Sequence, residues 1–486
     1  MNSSVNELTN LSATEARARI GRGELSPVAL LEACIQQYKS VNPVVNAIVT
    51  TAFERAREEA QAAEDAVKQA LANGGALGAL HGLPIAIKDN QTTAGIKTTN
   101  GSPLMKDNVP TKDAGVVARI RAAGGIVIGK TNVPEFSIGA NTVNPLFGAT
   151  GNPFNPSLTC GGSSGGSAVA VATNMVPLAT GSDHGGSLRI PASYCGVVGY
   201  RASPGVVPNE ERTTAQTYYS LQGALGRDVQ DTALLISLIA ARSNATRRDP
   251  MAFPLDASQF ANLAQVNNGD LKVAITADLG GVMVSDQNRK LFGERVERFR
   301  GLFKQCDWHG VNLSEAPGID WHLRQDIFVS QYHGQAAKWP QDFNPNVKAT
   351  YDTALRTPMK DIAIARRRQI ELYRRFTALF DDYDLLILPG MSVPPFPWAD
   401  LYPQLIDGKP VENYMAWLGL TSSLTVIGHP VVALPCGLDE QGTPFGIQIV
   451  GPIYEDHKLL SAAAAIERAF AQDDVLRRPV PTIAAS

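Results

Sequence analysis

The sequence predicts an α/β fold on two observations: short apolar runs bounded by glycine and proline recur along the chain, and helical stretches lie between them. Composition agrees. A hydrophobic share of 44% with 18% charged residues describes a chain able to bury a sizeable core, and excludes a disordered or fibrous one. At 486 residues, against about 150 per domain, one large α/β domain or two domains both fit.

Residues 12 to 40 read as helical. Ser12 with Glu15 has the spacing of a capping box, and Ser26-Pro27 offers an N-cap followed by a first-turn proline. The alanine- and glutamate-rich run from Ala52 to Leu71 reads as an exposed helix ended by Asn73-Gly74-Gly75. From Leu83 the runs Pro84-Ile85-Ala86-Ile87, Ile126-Val127-Ile128 and Met175-Val176-Pro177-Leu178-Ala179 suit buried strands. Helices are expected between them, at Gly115 to Ala123 and Gly166 to Thr173. The region from about 225 to 420 is less regular, with Phe292, Val296, Phe299 and Phe303 spaced as the core face of a helix. Strand patterns return in Leu385-Leu386-Ile387-Leu388, in Pro430 to Leu434 and, after a Gln441-Gly442 turn, in Phe445 to Val450. Asp456 is placed to cap a last helix.

A net charge of −3, from 43 basic and 46 acidic residues without a basic stripe, gives no attraction for nucleic acid or an anionic membrane. Met1 to Ile20 has no apolar leader core, and no stretch reaches the ~18 apolar residues of a membrane span. The expected location is cytoplasmic. Five cysteines, at 34, 160, 195, 306 and 436, stand singly, which fits reduced thiols and neither a disulfide framework nor a zinc site. Cys160 and Cys195 read as small packing residues.

Gly124-x-x-x-x-Gly129-Lys130-Thr131 matches a P-loop letter by letter, but its interior is the strand-like Ile126-Val127-Ile128 and Pro134 follows closely. Nucleotide binding is therefore set aside.

Chemistry concentrates in Gly161-Gly162-Ser163-Ser164-Gly165-Gly166-Ser167 and Gly181-Ser182-Asp183-His184-Gly185-Gly186-Ser187-Leu188-Arg189-Ile190-Pro191-Ala192. Glycines running straight into apolar segments permit positive φ and close backbone approach rather than linker flexibility. Gly185-Gly186-Ser187 just before a proline-marked helix start would aim successive N–H groups into one concavity, with the Ser187 hydroxyl beside it. Serine is a weak nucleophile and needs a base. Seven histidines show no triad pattern, so the better base is Lys88, which ends a buried strand where desolvation disfavours the ammonium form. From a reference pKa of ~10.4, that duty needs a shift of roughly three units. Strand alternation turns the neighbouring Asp89 to the other face.

These two glycine–serine segments and the upstream Lys88-Asp89 resemble the amidase signature hydrolases. The resemblance runs from the opening helices to about residue 475 and is strongest from 80 to 200. It implies a single domain with a large mixed β-sheet flanked by helices on both faces, spanning 1–486, with a catalytic core at about 80–210 and a substrate-shaping region at about 225–420. By resemblance, Ser187 is the acyl-forming nucleophile, Ser163 the bridging serine after a cis peptide bond, and Lys88 the base. The oxyanion donors are backbone N–H groups among His184, Gly185, Gly186 and Ser187. No metal or organic cofactor is implied.

Asp183 and Arg189 read as a loop-holding ion pair, and Ser164 and Ser182 as loop support. His184 stands where the family often has a small residue, and both a structural and a substrate-facing imidazole fit. Tyr200-Arg201-Ala202-Ser203 replaces a more usual Leu-Lys-Pro-Thr, which the sequence does not explain. Tyr332, Tyr414 and Trp417 have the area and polar tips of pocket residues, although core packing is their ordinary role. The favoured partner is a small, mostly apolar amide, aryl-amide or carbamate; a homo-oligomer is left open. Two readings compete. One is the glutamine-hydrolysing subunit of a tRNA-dependent amidotransferase, disfavoured because Trp417-Leu418-Gly419 stands where such relatives place acidic and polar residues before Gly428-His429-Pro430. The other is a non-catalytic binding protein, disfavoured by the intact Lys88, Ser163 and Ser187.

Overall fold

The computed structural model describes residues 7–338 and 345–483, so the first residues of the Met1 to Ile20 stretch lie outside the described residues. Helix α1 (Ala13–Gly21) begins at Ser12, whose side chain accepts from the Glu15 N–H. Helix α2 (Pro27–Val45) begins at Ser26, which accepts from the Ala29 N–H, with proline in its first turn. Each hydroxyl satisfies an N–H that the helix cannot pair for itself. Strand β1 (Ile48–Thr51) and helix α3 (Phe53–Asn73) follow, and Gly74 at φ 73° ends the helix.

Next come β2 (Pro84–Lys88), α4 (Gly115–Ala122), β3 (Ile126–Thr131), α5 (Gly165–Ala172), β4 (Leu178–Asp183), α6 (Arg189–Cys195) and β5 (Val198–Arg201). The sheet continues with β6 (Leu221–Gly226), β7 (Lys272–Ile275), β8 (Gln305–Trp308), β9 (Leu385–Pro389), β10 (Val431–Leu438) and β11 (Pro444–Val450). These strands form one 11-stranded sheet in the order β1-β3-β2-β4-β6-β5-β10-β11-β9-β7-β8. It is mixed: β3, β2 and β4 run parallel, β4 to β11 pair antiparallel, and β9, β7 and β8 are parallel again. Helices cover both faces, as the α/β prediction required.

Alternation along β2 sorts the core. Ile85 and Ile87 join the apolar cluster of one face, whereas Ala86 joins the other with helix α5, so Lys88 leaves the sheet on the α5 side. Every residue of α5 is buried. That explains its composition: a helix enclosed all round has no polar face.

Three expectations shift. Met175 and Val176 precede the strand, because their N–H groups turn back to Ala170 O at the end of α5 and β4 starts only at Leu178. Phe303 lies past the end of helix α8 (Asp286–Phe299) and is buried from extended backbone. Asp456 opens helix α13 (Asp456–Phe470) without capping it; its carboxylate instead accepts from the Tyr200 hydroxyl and the Ser203 N–H. The region from 225 to 420 is also more ordered than its sequence pattern, since β7, β8 and β9 extend the same sheet. The P-loop-like segment is strand β3, with Lys130 buried against Gln91 O, Thr93 and Thr98.

Candidate active site

Lys88 ends β2 fully buried, and its Nζ lies 2.7 Å from Ser163 Oγ and 2.9 Å from Ser182 Oγ. Burial lowers its pKa to about 7, against the attraction of Asp183. Asp89 faces away, 3.8 Å from Lys130 and hydrogen-bonded to Thr99, so it does not hold Lys88 in its charged form.

Ser163 follows a cis Gly162–Ser163 peptide and sits at the foot of α5. The chain needs glycine there: a Cβ on Gly166 would lie 2.4 Å from Asn132 N and 2.5 Å from Ala47 O. That contact seats the start of α5 directly on the β1–β3 edge and fixes the turn that carries Ser163 and Ser164. The Ser164 hydroxyl bonds Ser182 O at 3.3 Å, and the Ser164 N–H bonds Ser187 O at 3.2 Å. The two glycine–serine segments are therefore stitched together through their main chains.

Ser187 lies at the end of the loop after β4, with Ser163, on the wall of one cavity of about 220 Å³. Its hydroxyl makes no hydrogen bond among the described residues, to Ser163 or to any other group. Asp183 organises this loop. It accepts from the Gly186 and Leu188 N–H groups and pairs with Arg189 through Nε and Nη2, both at 3.0 Å. Burial would raise the Asp183 pKa, but the guanidinium groups of Arg189 and Arg201 outweigh it and hold the carboxyl below the usual range.

This geometry corrects one expectation. The Gly186 N–H, placed among the oxyanion donors, is spent on Asp183 Oδ1 at 2.8 Å. The amides of Gly185 and Ser187 have no acceptor among the described residues. Gly186 has φ 129°, and a Cβ there would lie 2.5 Å from Thr421 Oγ1, which itself holds Gly185 O at 2.7 Å.

His184 bonds Ser220 Oγ through Nδ1 at 2.9 Å and packs on the Tyr219 ring. Burial, then the charges of Arg324 and Arg201, push its pKa well below the ordinary range, so the imidazole is neutral. Tyr332 and Tyr414 line the cavity; Trp417 does not, and packs edge-on against Phe396. Cys160 and Cys195 are fully buried, and burial raises both thiols, Cys160 to about 12.

Sequence reading missed Arg201 and Asn90. Arg201 is the second cation on Asp183 and also bonds Asp183 O at 2.8 Å, while the neighbouring Tyr200 hydroxyl donates to Asp456. Asn90 holds the Ser182 hydroxyl at 3.0 Å, and its position two residues past Lys88 was the only signal of it.

The profile of the Amidase family matches residues 29–304 and 330–460. An acylamidase of Rhodococcus erythropolis is 33% identical over 466 residues, covering 94% of this chain and 95% of the relative. An A-type subunit of glutamyl-tRNA(Gln) amidotransferase from Clostridium acetobutylicum is 30% identical over 491 residues, covering 95% of this chain and 99% of the relative. Among solved structures, a bacterial aryl acylamidase of the amidase signature enzymes is similar with a TM-score of 0.86 at 27% identity, over 94% of this chain and 96% of that one. The class so defined is that of enzymes hydrolysing carbon–nitrogen bonds in small amides. The chain belongs to the amidase signature family of serine hydrolases.

Proposed function

We propose that this enzyme cleaves a small, mostly apolar amide, of the aryl-amide or carbamate class, through Ser187, Ser163 and Lys88 and a covalent acyl-enzyme. The observation that carries the reading is the buried Lys88 Nζ, 2.7 Å from Ser163 Oγ with a pKa of about 7. Ser182 supplies two acceptors for that amine, its hydroxyl at 2.9 Å and its carbonyl at 3.5 Å. Together they use both hydrogens of a neutral amine and leave its lone pair for Ser163.

Lys88 then takes the Ser163 proton as Ser163 takes that of Ser187, and Ser187 Oγ attacks the amide carbonyl. The developing oxyanion is met by the free amides of Gly185 and Ser187, with His184 N–H as a third candidate. Asp183 fixes the loop through Gly186 rather than leaving that amide for the substrate. Returning the proton through Ser163 to the leaving nitrogen releases the amine, and water activated by the same relay hydrolyses the acyl-enzyme.

An apolar portion of the substrate is supported by Phe136, Ile138, Phe328, Met415 and Leu418, which form the apolar part of a cavity wall that also carries polar groups such as Gln222, Glu211 and Arg324, and by the similarity to an acylamidase. The similarity to the A-type amidotransferase chains favours glutamine as a second reading. Purified enzyme offered 4-nitroanilides, short aliphatic amides, aryl carbamates and glutamine decides between them: turnover of glutamine alone supports the second. Ser187→Ala is expected to lower anilide turnover ~10^4-fold or more with the circular dichroism spectrum unchanged. Retained turnover removes the mechanism.

A further inference from the structure

Helix α9 (Ala316–Lys338) brings a buried ion pair to the cavity wall. Asp320 and Arg324, one turn apart, are 1% and 3% exposed, and Arg324 donates to Asp320 through Nε at 3.1 Å and Nη2 at 2.8 Å. Asp320 also accepts from the Tyr219 hydroxyl at 2.7 Å, and the guanidinium carbon lies 5.9 Å from the centre of the Tyr219 ring. A pair enclosed in this way is expensive to desolvate and is no better for stability than apolar residues of the same size. Its position is more informative. Arg324 Nη2 and Met415 Cε both come within 3.4 Å of where a Cβ on Gly185 would stand, so the guanidinium borders the loop that carries the free amides. Nε and Nη2 are spent on Asp320. Arg324 also shares a hydrogen bond with the Tyr414 hydroxyl, which leaves two of its five N–H groups to offer to the cavity it lines.

We propose that Arg324 reads an uncharged oxygen acceptor, a ketone or ester-like carbonyl, on the acyl part of the substrate close to the scissile carbonyl. The inference rests on the triad reading above. If the leaving nitrogen must face Ser163 to be protonated, the part beside Gly185 and Arg324 is the acyl group. An uncharged acceptor suits this place because each guanidinium on the wall is already balanced, Arg324 by Asp320 and Arg212 by Asp249, and the carboxylate of Glu211 lines the same cavity and repels a second anion. Met415, Ile327 and Phe328 leave the rest of the acyl chain an apolar bed.

Three 4-nitroanilides of similar acyl length test it: pentanoyl, 4-oxopentanoyl and 3-carboxypropanoyl. For the unaltered enzyme, kcat/KM for the 4-oxopentanoyl substrate is expected to exceed that for pentanoyl by about tenfold, the usual scale of a hydrogen bond to a charged donor. The carboxylate-bearing substrate is expected to gain nothing. In Arg324→Met the oxo-to-alkyl ratio falls to about one; if that variant misfolds around an unpaired Asp320, the double variant Asp320→Asn with Arg324→Met supplies the same ratio. A structural role for the pair would change all three rates together and leave the ratio alone. No oxo preference in the unaltered enzyme, a preference that survives loss of Arg324, or a stronger preference for the carboxylate overturns the proposal. Cleavage of these anilides by Ser187→Ala instead overturns the triad reading, and the ratio cannot imitate that result.

Discussion

A lysine serves as a base only where its ammonium form is costly, and Lys88 meets that condition by ending a strand inside the sheet instead of at its rim. Because burial lowers its pKa to about 7, the neutral form is lost as pH falls below that value. The sign follows directly: kcat/KM for an anilide is expected to rise about tenfold per pH unit on the acid side and to level off near pH 7. A profile flat from pH 5.5 to 8 would exclude Lys88 as the group that must lose its proton. Of the residues singled out from sequence, Lys88, Ser163, Ser164, Asp183, Arg189 and Ser187 do gather at one place, because two glycine–serine segments and one strand end carry them. The Gly186 amide departs from expectation, since which N–H a carboxylate captures depends on the closing angle of the loop around Asp183. Arg201 was not legible as a partner of Asp183, because it reaches that acid from another strand of the sheet; Arg324 pairs with Asp320 within one helix, and what sequence could not show is that this pair borders the cavity.

Helix α5 and strand β4 are the elements that carry Ser163 and the loop of Ser187, the proposed bridging serine and nucleophile. Both were visible in the sequence, α5 as an apolar segment following glycines and β4 as an apolar run leading into them. Their juxtaposition was not, since it depends on how closely α5 sits on the sheet. Gly166 sets that distance, so Gly166→Ala is expected to cost about 1–3 kcal/mol and to lower activity by displacing Ser163. A urea midpoint and turnover rate both equal to those of the parent protein would show that α5 tolerates the displacement. The strand starting at Leu178 and not Met175 teaches the same lesson at smaller cost: Met175 N–H and Val176 N–H were already claimed by Ala170 O, a competition that strand propensity does not register.

Across the whole molecule, one sheet holds β2, β4 and the strands of the region from 225 to 420, so pocket and proposed base share a scaffold. Nothing covalent ties it: the five cysteines are buried free thiols, and burial raises Cys34, Cys160 and Cys436 to about 12. Reductant is therefore expected to leave the thermal midpoint unchanged, and an aromatic disulfide reagent to titrate no thiol until the protein is denatured, when five react. Fast labelling of the native protein would contradict that packing. By itself the sequence determined the α/β class, most strand and helix positions, and the identities of the lysine and serines, because periodicity, caps and glycine spacing act over a few residues. The order of strands, the choice of amides left free and the Asp320–Arg324 wall were decided only in three dimensions, where chain segments far apart in number compete for the same donors and the same space.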